Sequence, residues 1–159
     1  MEQQQILVQM AVNAWNTQIT RMDKLVDSIS DEGLLNEVSP GRNRVIYLLG
    51  HMTAVHDAMI SLLGLGERQF AHLDETFIKN PDKSGLDMPD IDTLRNDWKQ
   101  TNATLSALFG KMTAGDWFGR HTAMTDEDLA KEPTRNKLSV LLNRTGHVAY
   151  HLGQMVLAK

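Results

Sequence analysis

Cysteine is absent from the 159 residues. That excludes disulfide frameworks, thiolate metal sites and cysteine nucleophiles, and it leaves histidine and carboxylate as the strong metal ligands open to this chain. Basic side chains are in deficit: 16 lysines and arginines against 20 acidic residues give a formal charge of −4 and a pI near 5.8. Nucleic acid and anionic membranes reward clustered lysine and arginine, so neither is expected as a partner, and a small-molecule substrate is. No uninterrupted apolar run approaches the roughly eighteen residues of a membrane span. The opening "MEQQQILVQMAV" carries no basic leader or cleavage signal, and the expectation is a soluble, cytoplasmic protein. Also missing are period-2 runs of β-branched residues, internal repeats, and HExxH, P-loop and GxSxG signatures. The "GLGE" at Gly64 to Glu67 follows a helical pattern and reads as a helix stop, not as half of a dinucleotide fingerprint.

What the chain has is helical periodicity. From Gln5 to about Ile29, apolar residues fall at Val8, Val12, Trp15, Ile19, Met22, Val26 and Ile29, in alternating steps of four and three. This is the seam of a long amphipathic helix. A second series, Ile91, Leu94, Trp98, Leu105, Leu108 and Met112, is broken only by Thr101 and follows the turn-rich "NPDKSGLDMPD", where Asp90 or Asp92 can cap the start. Between them, "RNRVIYLLGHMTAVHDAMISLLGLG" runs from the breaker pair Pro40-Gly41 to Gly64 and Gly66. A fourth helix is expected from about Asn136 to the end, after a polar, loop-rich stretch, "TAGDWFGRHTAMTDEDLAKEPTR", with short helical pieces around Leu73 to Lys79 and Asp126 to Lys131. The reading is all-α: one four-helix-bundle domain over residues 1–159, with long connections. Trp15, Trp98, Met22 and Met112 fall at helical spacing and are read as core.

The chemistry concentrates in histidines. His147 and His151, in "GHVAYHLGQM", lie about one turn apart on one helical face, a common way to present two nitrogens to one ion. Asn143 and Gln154 share their stripe, while Leu141, Val148, Leu152 and Met155 occupy the neighbouring arc, so the imidazoles border the core face. A third nitrogen from another long helix can come from His51 or His56. These two are about 140° apart on their helix and do not both face one ion. Periodicity does not choose between them, and a core histidine is the competing reading of either. Three neutral imidazoles leave coordination positions open, as catalytic metal sites do. Di-iron carboxylate chemistry is disfavoured, because no Glu-x-x-His pair is present.

The segments "LLGHMTAVHDAM" and "GHVAYHLGQM" resemble the DinB/YfiT-like family of four-helix-bundle metalloenzymes, in helix order and spacing over nearly the whole chain. The most specific part is H-x-x-x-H-x-G-Q, present as His147, His151, Gly153 and Gln154. The resemblance maps the family's first ligand, which follows a Leu-Leu-Gly-like stretch, onto His51. It implies a divalent ion (nickel, zinc or iron) in a cleft at one end of the bundle, and in some branches transferase or isomerase chemistry with a low-molecular-weight thiol such as bacillithiol or mycothiol. The expected function is thus a metal-dependent enzyme, a thiol-dependent S-transferase or a hydrolase. The alternative is a non-catalytic metal-binding or stress-response bundle.

Around the three histidines, Arg44 falls about two turns before His51, within reach of an anionic substrate. Asn143 and Gln154 are candidates to orient an imidazole. Tyr47 and Tyr150 flank the ligands and can donate a proton, or simply pack. His121 and His72 are expected at the surface. A spare apolar face on a long helix would suit a homodimer.

Overall fold

The computed structural model describes residues 2–158. Its helices are α1 (Gln3–Ser28), α2 (Asp31–Leu34), α3 (Val45–Leu62), α4 (Asp74–Phe77), α5 (Ile91–Phe109), α6 (Ala114–Trp117), α7 (Asp126–Lys131) and α8 (Lys137–Val156), with one 3-10 turn at Ala71–Leu73. Among the described residues there is no strand; extended pairing is limited to a single bridge between Glu37 and Arg44. The expected all-α class holds.

Four of these helices are long, at 26, 18, 19 and 20 residues for α1, α3, α5 and α8. Helix α1 packs along α8 and α3 along α5, and contacts of α3 with α8 and of α1 with α5 close the set. The seam read on α1 is the one that goes inward: Trp15, Met22 and Val26 are buried, with Val8, Val12 and Ile19 half-buried against the core. On α5 the inward set is Leu94, Trp98, Thr101 and Leu105, so Thr101 interrupts the apolar pattern without leaving the interior.

Helix α3 is buried on nearly every side, which explains why its pattern is apolar almost all round. It is long and apolar enough to cross a membrane, yet most of its residues are covered by the rest of the protein.

Local signals set the boundaries. Asp90 caps α5 by accepting from the Thr93 amide at 2.8 Å, and Asn136 caps α8 by accepting from the Ser139 amide at 3.0 Å. Helix α3 ends in a Schellman motif: Gly64, at φ 69°, lets its own amide reach Ser61 O at 3.0 Å and the Leu65 amide reach Ile60 O at 2.9 Å.

The loop-rich stretch from Thr113 departs from the sequence reading in one respect. It supplies Trp117 and Met124 to the interior, and Trp117 packs edge-on against Phe109 with ring centroids 5.0 Å apart. Its high polarity belongs to the capping boxes of α6 and α7, where Thr113 pairs with Asp116 and Thr125 with Asp128. Two short helices, α2 and α6, were not legible from periodicity, since four residues contain barely one turn.

Candidate metal centre

Helices α3 and α8 bring His51, His147 and His151 together, with one potential ligand atom from each within 4.8 Å of the others. The Nε2 atoms of His51 and His147 are 3.2 Å apart, and those of His147 and His151 are 3.1 Å apart. All three side chains are half-buried.

The protons locate the lone pairs. His51 donates from Nδ1 to the Phe77 carbonyl at 2.8 Å, and His151 donates from Nδ1 to Gln154 Oε1 at 2.8 Å. A carbonyl oxygen only accepts, so in the neutral ring each Nδ1 carries the proton and each Nε2 is left bare. His147 has at most one proton to offer two facing lone pairs. A cation resolves that conflict. Two nitrogens each about 2.1 Å from one ion stand about 3.0 Å apart at a right angle and about 3.4 Å at the tetrahedral angle. The His51–His147 and His147–His151 separations lie between those values and all three ligand atoms fall within 4.8 Å of one another, so the donor set is compatible with a divalent ion in chemistry and in spacing.

Electrostatics keeps the rings ready. Burial, followed by the neighbouring His151, His51 and Arg144, pushes the His147 imidazole down to about 4. Burial likewise lowers His151, against an opposing hydrogen bond from Gln154. Near neutral pH these two rings are therefore neutral, each with one nitrogen available to an ion.

The fold explains why His51 is where it is. Gly50 lies against the Phe77 ring so closely that a Cβ would fall 2.3 Å from it. Only with glycine here can Phe77, at the end of α4, come close enough for its carbonyl to hold the next residue's imidazole. The Leu-Leu-Gly-His order of the sequence thus has a steric cause. The motif glycine on α8 is different: a Cβ on Gly153 would meet nothing within 4 Å.

His56 is placed elsewhere. It is fully buried, its Nδ1 donates to Asn102 Oδ1 at 2.8 Å, and its ring lies between Trp15 and Trp98, with centroids at 4.8 and 5.1 Å. Of the flanking residues, Gln154 contacts the cluster directly through His151. Tyr47 stacks parallel to His51 with centroids 6.3 Å apart, but it is buried and its hydroxyl donates to the Asn80 carbonyl at 2.6 Å. Burial, then the charge of Asp82, raises its pKa. Tyr47 therefore positions the ring beside it, and its proton is already committed.

Tyr150 is exposed, edge-on to His151 with centroids 5.2 Å apart. With Gln154 it lines a cavity of about 620 Å³ closed on the other side by residues 38–43, including Arg42. Another cavity, of about 530 Å³, lies between α1, α5 and α6, and no histidine or carboxylate lines it.

Arg44 precedes α3 as its N-cap residue, and its guanidinium is held by Asp82, with Nη2 to Oδ1 at 2.7 Å and the Arg44 amide to Oδ2 at 2.8 Å. The structure commits this arginine to a loop carboxylate that periodicity could not locate. Asn143 is exposed and accepts from Arg144 Nη1 at 3.2 Å, with no bond to a histidine among the described residues. His72 is exposed and His121 half-buried. Sequence reasoning missed the Phe77 carbonyl, which carries no side-chain signal, and Arg144, which does: on a helical wheel it falls about 60° from His147, on the same side as His151.

No curated protein matches the chain. The family model of the DinB superfamily matches residues 14–155, a span that contains all four long helices in large part and all three clustered histidines. By that match and by the helical architecture, the chain belongs to the DinB superfamily.

Proposed function

We propose that this protein binds one divalent metal ion through the Nε2 atoms of His51, His147 and His151 and is a metal-dependent enzyme, a thiol-dependent S-transferase or a hydrolase. The observation that carries the reading is the convergence of three imidazoles, two of which have their protons fixed on the far nitrogen by carbonyl oxygens. A divalent ion held there supplies Lewis acidity, lowering the pKa of a bound thiol or water or polarising a carbonyl. Nickel, zinc and iron all suit a nitrogen donor set.

The residues around the ion divide the remaining tasks. Phe77 and Gln154 fix the tautomer and the plane of their histidines. Helix α3, packed on α5 and α8, presents one ligand from a rigid, buried element, and α8 presents the other two. The cavity lined by Gln154, which itself bonds His151, is where a small molecule would lie beside the cluster, with the exposed Tyr150 at its wall as a proton donor.

The test is metal content of protein purified without a histidine tag, followed by thiol-transfer and hydrolysis assays with and without chelator. About one equivalent of metal and a chelator-sensitive turnover are expected. Protein that takes up no metal sinks the reading, and full occupancy without turnover across broad substrate panels reduces it to a non-catalytic metal-binding protein.

A further inference from the structure

Arg144 is the one arginine facing the histidines from within α8, and its environment is unusual. It is half-buried, its Nε is shielded from solvent with no hydrogen-bond partner, and its one hydrogen bond among the described residues is from Nη1 to Asn143 Oδ1 at 3.2 Å. Among the described residues no carboxylate pairs with it; the buried Asp57 is held by Arg68 and the buried Asp82 by Arg44. A guanidinium nitrogen cut off from water normally has a partner, and an anionic one suits it best, because desolvating it without one is costly. The surroundings add no relief. The three imidazoles carry no negative charge. Nε2 of the buried His56, whose ring feels the Arg144 charge, also has no partner.

On the reading of the cluster as a metal site, the ion and Arg144 put three positive charges within one turn of α8 and no negative one. Among the described residues nothing supplies the missing anion, and a bound ligand would. We infer that Arg144 is the recognition residue for a carboxylate on the substrate, which bridges the guanidinium and the histidine cluster. The geometry favours carboxylate among anions. With Nη1 held by Asn143, the donors left without a partner are Nε and Nη2, a side-on fork whose two parallel N–H bonds match the two oxygens of one planar carboxylate once the side chain swings Nε out of its shielded position. Arg144 and His147 are neighbours at i and i+3, so the molecule spanning them is small.

The probe is succinate, titrated calorimetrically into cobalt-loaded parent, Arg144→Gln and Arg144→Lys, with metal content and helical circular dichroism recorded for each. Succinate should bind the parent, bind Arg144→Gln at least about tenfold more weakly, and bind Arg144→Lys at an intermediate affinity, with metal content unchanged throughout. Equal affinity in parent and Arg144→Gln, or no binding to the parent, overturns the inference. Inorganic phosphate binding more tightly than succinate, with the same dependence on Arg144, overturns the carboxylate assignment. Should the parent take up no cobalt, the metal reading falls by itself, and the same titrations on metal-free protein decide the anion site: Arg144-dependent binding sustains it, and its absence ends it. If Arg144→Gln loses its helical signal, the comparison of parent with Arg144→Lys carries the test, and equal affinities there overturn the proposal.

Discussion

At the scale of single residues, two glycines of the family-like motifs have opposite physical meanings. Gly50→Ala drives a methyl into the Phe77 ring; it should cost about 1–3 kcal/mol as overpacking and, by displacing the carbonyl that holds His51, weaken metal affinity about ten- to a hundredfold. Gly153→Ala meets open space and should raise stability by up to about 1 kcal/mol through helix propensity, leaving metal content unchanged. Denaturant unfolding and metal titration of both variants check the contrast, and similar behaviour of the two would contradict it. A residue's absence of side chain was legible in the sequence; the ring it makes room for was not, because Phe77 is 27 positions away and approaches through a tertiary contact. His51 and His56 show the same limit. Periodicity placed both on the long helix and left the choice open, whereas the neighbours that separate them, the Phe77 carbonyl and the Asn102 amide, come from other segments.

At the scale of elements, the segment after α3 matters most to the site, because it delivers Phe77. It is fastened by Arg68, whose Nε bonds the fully buried Asp57 at 2.9 Å while Nη2 bonds Asp74 at 2.5 Å. Arg68→Ala leaves Asp57 as an uncompensated buried charge and should destabilise by about 3–5 kcal/mol, read as a lower denaturant midpoint; a change below about 1 kcal/mol would mean that the segment is held by packing instead. The four long helices were visible in the sequence because each repeats its seam over several turns. Helices α2 and α6 were not, since four residues contain barely one turn and repeat no seam. The starts of α5, at Asp90 or Asp92, and of α8, at about Asn136, were readable because their signals are local, and Asp90 and Asn136 are the residues that cap them.

At the scale of the whole molecule, the core is built independently of the three histidines, so metal removal should lower the thermal midpoint by binding linkage and leave the helical signal in place. Collapse of helicity on adding chelator would make the site structural. Acid acts through a different residue. Burial, against the opposing Asn102 hydrogen bond and helped by His147, Arg144 and His51, holds His56 at about 3, while in the unfolded chain the ring titrates near 6.5. The unfolded state therefore takes up a proton that the fold refuses. Stability is full above about pH 6.5 and falls as pH drops toward 3, by up to about 1.4 kcal/mol per pH unit from this residue. In His56→Phe the loss of stability between about pH 7 and about pH 5 should shrink; an undiminished loss in urea unfolding would assign the acid sensitivity elsewhere. The central claim, that one ion is held by His51, His147 and His151, is tested most directly by metal analysis of the parent, His51→Ala and His56→Ala, purified identically. The expected result is about one equivalent in the parent and in His56→Ala, with affinity lower by orders of magnitude in His51→Ala. Equal occupancy in the two variants, or loss only in His56→Ala, would contradict it.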